Sequence, residues 1–252
     1  MTDYLLVHGA GQGAWSWGKV WGYMTAPVEH PPRLYGYHKA GKVFPMDLPG
    51  HGTDSSGDTS TVGIEECVQA IIRTVERLQL KDLVLVGHGF AGWLILQAAA
   101  QLPQPPKRLV PVAGLVPQEG KNMLSQFPLK TRSGFQALAS VSAALGKDLK
   151  LPQEAIIRYL CNGIDYMEVV QSMGYFGPLP TRVFKSRVTR DGLDIPSPVT
   201  YIVLTQDRVV PAKMQRRMAG RIPNVEVREL DSCHQVTRHQ PRQLAEILLD
   251  FA

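Results

Sequence analysis

Gly87-His88-Gly89-Phe90-Ala91 is the stretch whose residue types and spacing point to chemistry. A short apolar run, Leu83 to Val86, ends in a glycine, and a helix-like run, Phe90 to Gln101, follows at once. Strand, sharp turn and helix in that order are the setting in which Gly-x-Ser-x-Gly lifts an attacking hydroxyl above a sheet. Here the central position is Gly89, and Ala91 replaces the last glycine with another small residue. The stretch has the frame of an acyl-transfer site and lacks the oxygen that attacks. Further on come Asp207 and His234, each after a run that reads as a strand. Nucleophile position, acid and histidine thus follow the chain order of one class of catalytic triad. Singly, an Asp or a His in a loop is more often a surface or packing residue. In this order, each after a strand, they form a constellation.

The elements that must position these residues are legible in the pattern. Leu5-Leu6-Val7 reads as a buried strand running into the glycine-rich His8-Gly9-Ala10-Gly11-Gln12-Gly13. A helix begins near Trp15–Trp17, and Val43–Met46 reads as a strand ending in Asp47-Leu48-Pro49-Gly50-His51-Gly52. Ile64, Val68, Ile71, Ile72, Val75 and Leu78 fall at helical spacing, with Ser60 or Thr61 as N-cap. Further strands read at Leu109–Val112, Pro198–Leu204 and the more polar, edge-like Val225–Leu230. Helices read at Pro211–Gly220, with proline in the first turn, and at Pro241–Phe251. Strands alternating with helices imply an α/β fold: a mainly parallel sheet of about six strands with helices on both faces.

Two segments interrupt this rhythm. Thr25–Lys39, with Pro27, Pro31, Pro32, Tyr35 and Tyr37, reads as an irregular insertion near the site mouth. From Gln118 to Ile195 the strand signals stop. Phe135–Leu145 and Pro152–Leu160 are helix-like, with breaks at Gly146, Gly163, Gly174 and Gly177. The expected division is a core of residues 1–117 and 196–252 with a mostly helical cap at 118–195. In open parallel sheets functional groups gather at the carboxyl ends of strands, where His8-Gly9-Ala10-Gly11, Gly89-Phe90, Asp207 and His234 all stand.

The bulk properties exclude several classes. At 252 residues, 44% hydrophobic and 19% charged, the chain is an ordinary globular sequence with enough length for a substantial core. Its net charge of +5 is scattered. The densest basic group, Arg182, Lys185, Arg187 and Arg190, has Phe184 as its one interleaved aromatic and no known nucleic-acid motif, and reads as solvated surface, not as a nucleic-acid patch. No charged leader precedes a long apolar run and no eighteen-residue apolar span occurs, so neither a signal peptide nor a membrane helix is expected. Cys67, Cys161 and Cys233 are odd in number and lack metal spacing, which points to a reducing cytoplasm. Ala14 stands where a dinucleotide-binding third glycine would, and there is no phosphate loop and no His-Glu-x-x-His. A small-molecule substrate is expected, with no metal or other cofactor.

Val7-His8-Gly9-Ala10-Gly11-Gln12-Gly13-Ala14-Trp15, Asp47-Leu48-Pro49-Gly50-His51-Gly52, Leu85 to Gly92, Asp207 with Val210-Pro211, and His234 together resemble the α/β-hydrolase superfamily. Within it they are most similar to the subgroup of plant-type methylesterases, hydroxynitrile lyases and bacterial esterase relatives. The resemblance covers essentially the whole chain except Thr25–Lys39, and is loosest in the cap. It implies an esterase-like enzyme for a small, largely apolar ester or carbonyl compound. Gly89 then occupies the nucleophile position, Asp207 orients His234, His234 is the general base, and the N–H groups of Ala10 and Phe90 form an oxyanion hole. Gly11, Trp15, His88 and Trp93 are candidate substrate contacts. The alternatives are core packing for the tryptophans and structural support for His88, as for His8. Ser16 is at best a substrate contact, and Asp47 assists the site or anchors its turn. Cys233 neighbours His234, but adjacent side chains point apart, which argues against a replacement nucleophile there.

Glycine at 89 leaves three readings open. One is an esterase-type hydrolase whose serine has been replaced. Another is an enzyme that needs no serine and uses His234 to activate water or abstract a proton, in hydrolysis, lyase or cyclase chemistry. The third is a ligand-binding protein on a hydrolase fold.

Overall fold

Four strands of this chain are buried along nearly their whole length, which is why they read as continuous apolar runs rather than alternating ones. The computed structural model describes residues 1–26, 40–54, 59–145, 149–189, 195 and 197–252. β1 (Thr2–Val7), β2 (Ala40–Met46), β3 (Val84–His88), β4 (Arg108–Val112), β5 (Thr200–Leu204) and β6 (Glu226–Leu230) form one parallel sheet in the order β2-β1-β3-β4-β5-β6. β6 is at an edge and partly exposed, as its polar sequence implies.

The period of two along a strand sorts residues between two cores. Leu5 and Val7 face a layer with Val68 and Ile71 of α2 (Ile64–Leu78) and Leu94 and Ile95 of α3 (Ala91–Gln101). Tyr4 and Leu6 face the other layer, with Val20 of α1 (Gly18–Thr25) and the C-terminal helix residues Leu244 and Leu248. α3 lies against the loop after β4 with no room for side chains: a Cβ on Gly92 would meet the Gly114 Cα at 2.5 Å.

Between β4 and β5 the chain is mostly helical. It contains α4 (Leu129–Ala144), α5 (Gln153–Ala155) continuing into a π-helical turn (Ile156–Leu160), α6 (Tyr166–Ser172) and α7 (Thr181–Lys185). α8 (Ala212–Ala219), α9 (Val236–His239) and α10 (Pro241–Leu249) complete the fold.

Several expectations need correction. α4 starts six residues before Phe135, because only Ala139 is buried on it and no apolar stripe marks its first turns. The run 152–160 is not one α-helix; the Cys161 N–H reaches back five residues to the Ile156 carbonyl. α2 is capped by Gly63, not by Ser60 or Thr61: the Glu66 carboxylate accepts from the Gly63 N–H at 2.9 Å. Pro211 is the N-cap of α8, one residue outside the helix. The expected insertion with Pro27, Pro31, Pro32, Tyr35 and Tyr37, together with Gly146 and Arg190, lies outside the described residues.

Candidate active site

The loops after β1, β3, β5 and β6 converge at one end of the sheet. Gly89 sits at the turn between β3 and α3 with φ of +56°, a left-handed conformation that glycine adopts without a Cβ penalty. Its N–H donates to the Val112 carbonyl at 3.0 Å, and its own carbonyl accepts from Gly92 and Leu115 at 3.0 and 2.8 Å. The turn is therefore held independently of any side chain at 89.

His234 stands over this turn. A Cβ built on Gly89 would lie 3.4 Å from His234 Nε2, ordinary van der Waals distance. The other ring nitrogen, Nδ1, donates to Asp207 Oδ2 at 2.7 Å. Asp207 is itself fixed: its Oδ1 accepts from the N–H groups of Val209 and Val210 at 2.7 and 2.8 Å. The Gln215 amide adds a contact to Oδ2 at 3.2 Å. Every lone-pair direction of the carboxylate is thus engaged, which holds the imidazole with Nε2 toward Gly89.

Gln215 was not singled out by sequence reasoning. It is fully buried on α8 between Met214 and Met218, and its Oε1 accepts from the Leu204 N–H while its Nε2 reaches the Leu204 and Val210 carbonyls. A polar residue in the apolar stripe of a helix was the available signal. Gln215→Met strands these backbone groups and is expected to cost about 1–3 kcal/mol in urea unfolding. An unchanged midpoint would remove the clamp role.

The loop after β1 passes Ala10 beside the same turn. Among the described residues neither the Ala10 nor the Phe90 N–H has a hydrogen-bond partner, and both residues line the cavity over Gly89. His8 supports this loop from beneath: its Nδ1–H donates to the Gly9 carbonyl and its Nε2 accepts from the Leu48 N–H. Complete burial, with His51 alongside, pushes its pKa down to about 3, so it stays neutral. Asp47 anchors the neighbouring turn. Burial alone would raise its pKa, but hydrogen bonds from the Ala14 N–H and from the Thr53 hydroxyl and N–H outweigh that and lower it.

The cavity over Gly89 has a volume of about 550 Å³, within the range of small-molecule sites. Phe90, Phe127, Phe135, Leu151 and Phe184 supply apolar surface, and His234 lines it directly. Of the expected substrate contacts, three sit elsewhere and one faces a different space. Trp93 is 1% exposed and belongs to the core layer between sheet and helices. His88 is fully buried beneath His234, with ring centroids 4.6 Å apart, and its Nε2–H donates to the His234 carbonyl at 2.9 Å. Trp15 packs against Tyr175 and Phe176 instead of lining the cavity. Gly11 faces a smaller cavity of about 130 Å³ together with Met173 and Gly177.

Two side chains near the site are spent on structure. The Ser16 hydroxyl is buried and bonded to the Gly13 carbonyl. Cys233 is completely buried, and burial pushes its thiol up to about 12, which leaves no thiolate to attack.

A family model described as the alpha/beta hydrolase family matches residues 4–247. The chain belongs to that family. This hydrolase is 26% identical over 265 residues to Methylesterase 9 of Arabidopsis thaliana, spanning 100% of this chain and 98% of the relative. It is 23% identical over 234 residues to the uncharacterized hydrolase YugF of Bacillus subtilis, spanning 83% and 79%. Among solved structures it matches an extracellular alpha/beta-hydrolase from a Paenibacillus species with a TM-score of 0.84 and 21% identity, over 100% of this chain and 99% of the other. That protein is described as sharing structural and functional homology with tobacco salicylic acid binding protein 2. The likeness shows the α/β-hydrolase fold. Among the described residues of this hydrolase no cluster of three metal-ligating side chains occurs, and no helix is long and apolar enough to cross a membrane.

Proposed function

We propose that this protein carries the acid–base pair and oxyanion donors of an esterase-type hydrolase, with Gly89 in place of the nucleophile. In this reading residues 118–195 cap a small, largely apolar ester or carbonyl substrate. The observation that carries it is His234 Nε2 at 3.4 Å from the Cβ that any side chain at 89 would have, with Nδ1 on Asp207. A hydroxyl on that Cβ meets a base already oriented. The attacking oxygen would add to the ester carbonyl as His234 takes its proton, and Asp207 would stabilise the imidazolium. The N–H groups of Ala10 and Phe90 would receive the oxyanion, each worth about 2.7–4 kcal/mol by analogy with such donors elsewhere. The alcohol then leaves with the proton, and water releases the acid. Without a side-chain oxygen at 89 no acyl-enzyme bond forms. The relatives' description as methylesterases agrees with ester chemistry.

The test is turnover of short-chain aryl esters by the chain as it stands and by Gly89→Ser, side by side. Hydrolysis only in the serine form, with a burst of alcohol release, supports the reading. A glycine form as active as the serine form refutes it.

The completeness of the dyad favours a second reading, in which His234 acts on water or on a substrate proton without any serine. A pocket that only binds has no use for a base held by a fully engaged carboxylate. Under this reading His234→Ala in the otherwise unchanged chain lowers turnover by about 10²–10⁴-fold, the usual worth of a general base. Ligand binding with no turnover in either form would assign the protein to binding alone.

A further inference from the structure

The cavity over Gly89 has a carbon interior and charges of one sign. Lys130, Arg132 and Arg208 line it, and no Asp or Glu does so among the described residues. None of the three takes part in an ion pair among those residues. The Nε of Arg132 is buried and, among the described residues, has no hydrogen-bond partner, an unfavourable state for a charged donor.

Helix stability does not account for these cations. Lys130 and Arg132 stand in the first turns of the sixteen-residue α4, where the helix's own partial positive charge disfavours cations. That turn contains no acidic residue, and the N-cap, Pro128, offers no side-chain acceptor. A guanidinium in such a setting is matched by a planar carboxylate, which takes two parallel N–H bonds.

We infer that the cavity takes an anionic substrate: an apolar ester carrying a free carboxylate, received by Arg132 with Lys130 and Arg208 around it. The inference rests on the esterase-type reading above and narrows its substrate class. The neutral apolar body lies against Phe127, Phe135 and Phe184, and the ester carbonyl lies toward Ala10 and Phe90. Charge at the cavity wall selects the acid over its neutral isostere, because an uncharged amide leaves the guanidinium unmatched.

The test uses the chain as it exists and two probes of equal shape, 4-phenylbutyrate and 4-phenylbutyramide, in titration calorimetry at low and high salt. The acid is expected to bind at least tenfold more tightly than the amide at low salt, and Arg132→Gln is expected to abolish the difference. Lys130→Gln and Arg208→Gln are each expected to reduce it. Equal binding of acid and amide overturns the inference, as does binding of neither at millimolar concentration. A preference that survives the three substitutions combined overturns it too. The acid–amide comparison needs no variant, so a misfolded Arg132→Gln leaves it decisive. Failure of Gly89→Ser to hydrolyse any ester would remove the esterase reading while leaving the binding result readable by itself.

Discussion

Gly89→Ser is expected to raise aryl-ester turnover by roughly 10³- to 10⁶-fold, the span lost when serine hydrolases lose their nucleophile. On the proposed reading the gain follows from a histidine at contact distance, its orienting carboxylate, and two cavity-lining residues whose N–H groups have no partner among the described residues. The substitution carries a conformational cost. At φ of +56° a residue with a Cβ is disfavoured by about 1–2 kcal/mol, partly offset because serine has less freedom than glycine in the unfolded chain. Steric conflict adds nothing, since the nearest atoms to the new Cβ are His234 Nε2 at 3.4 Å, His234 Cε1 at 3.7 Å and the Gly9 Cα at 3.9 Å. Gly89→Ala is the control. It carries the same backbone strain without the oxygen, so it should match the serine form in stability and the glycine form in activity. Equal gains in both variants would attribute the effect to backbone geometry, not to a nucleophile.

His8 leads to the second large effect, a loss of about 2 kcal/mol of folding stability between pH 7 and pH 5, and His88 adds to it in the same direction. Both rings are fully buried; burial and a neighbouring histidine, His51 for the first and His234 for the second, lower their pKa values, His8 to about 3. In the unfolded chain each takes up a proton near pH 6.5. Below that pH the unfolded state binds more protons than the folded one. Their contribution is therefore fully present above about pH 6.5 and is lost as pH falls, for His8 down to about 3, at up to about 1.4 kcal/mol per pH unit for each ring. Urea midpoints at pH 7 and 5 measure it. His88→Gln keeps a donor for the His234 carbonyl and removes one titrating group, so its loss over that interval should be smaller than the parent's. An identical loss would mean that His88 takes up its proton alike in both states.

The parts of this structure legible in sequence are those where burial is nearly complete on a regular element. Ile64 to Leu78 repeats its apolar residues at helical spacing, and its limits match the structure residue for residue. The central strands were legible because both of their faces are covered. α4 was only partly so, because a helix with one buried residue has no stripe to detect. In the site, Gly89, Asp207 and His234 stood out through their order at strand ends, and the fold brings them together. Trp93 follows the core-packing alternative and not the substrate-contact one: α3 is buried nearly all round, so periodicity gives no sign of which face meets a cavity. The convergence of Arg132 and Arg208 was also hidden, since they lie on separate segments that meet only in the folded chain.

On the proposed reading, in which residues 118–195 cap the site, two backbone ties make access and alignment a single equilibrium. The Gly177 N–H donates to the Gly11 carbonyl at 2.8 Å, and the Gln235 N–H to the Leu160 carbonyl at 2.9 Å. One joins the segment between β4 and β5 to the loop of Ala10, and the other joins it to the loop of His234. Raising that segment breaks a bond to each loop, so on the proposed reading it slackens donor and base together. On that reading, a ligand that holds the segment down steadies the loops of Ala10 and His234 together. By reciprocity, anything that strengthens those two ties raises the ligand's affinity by the same factor.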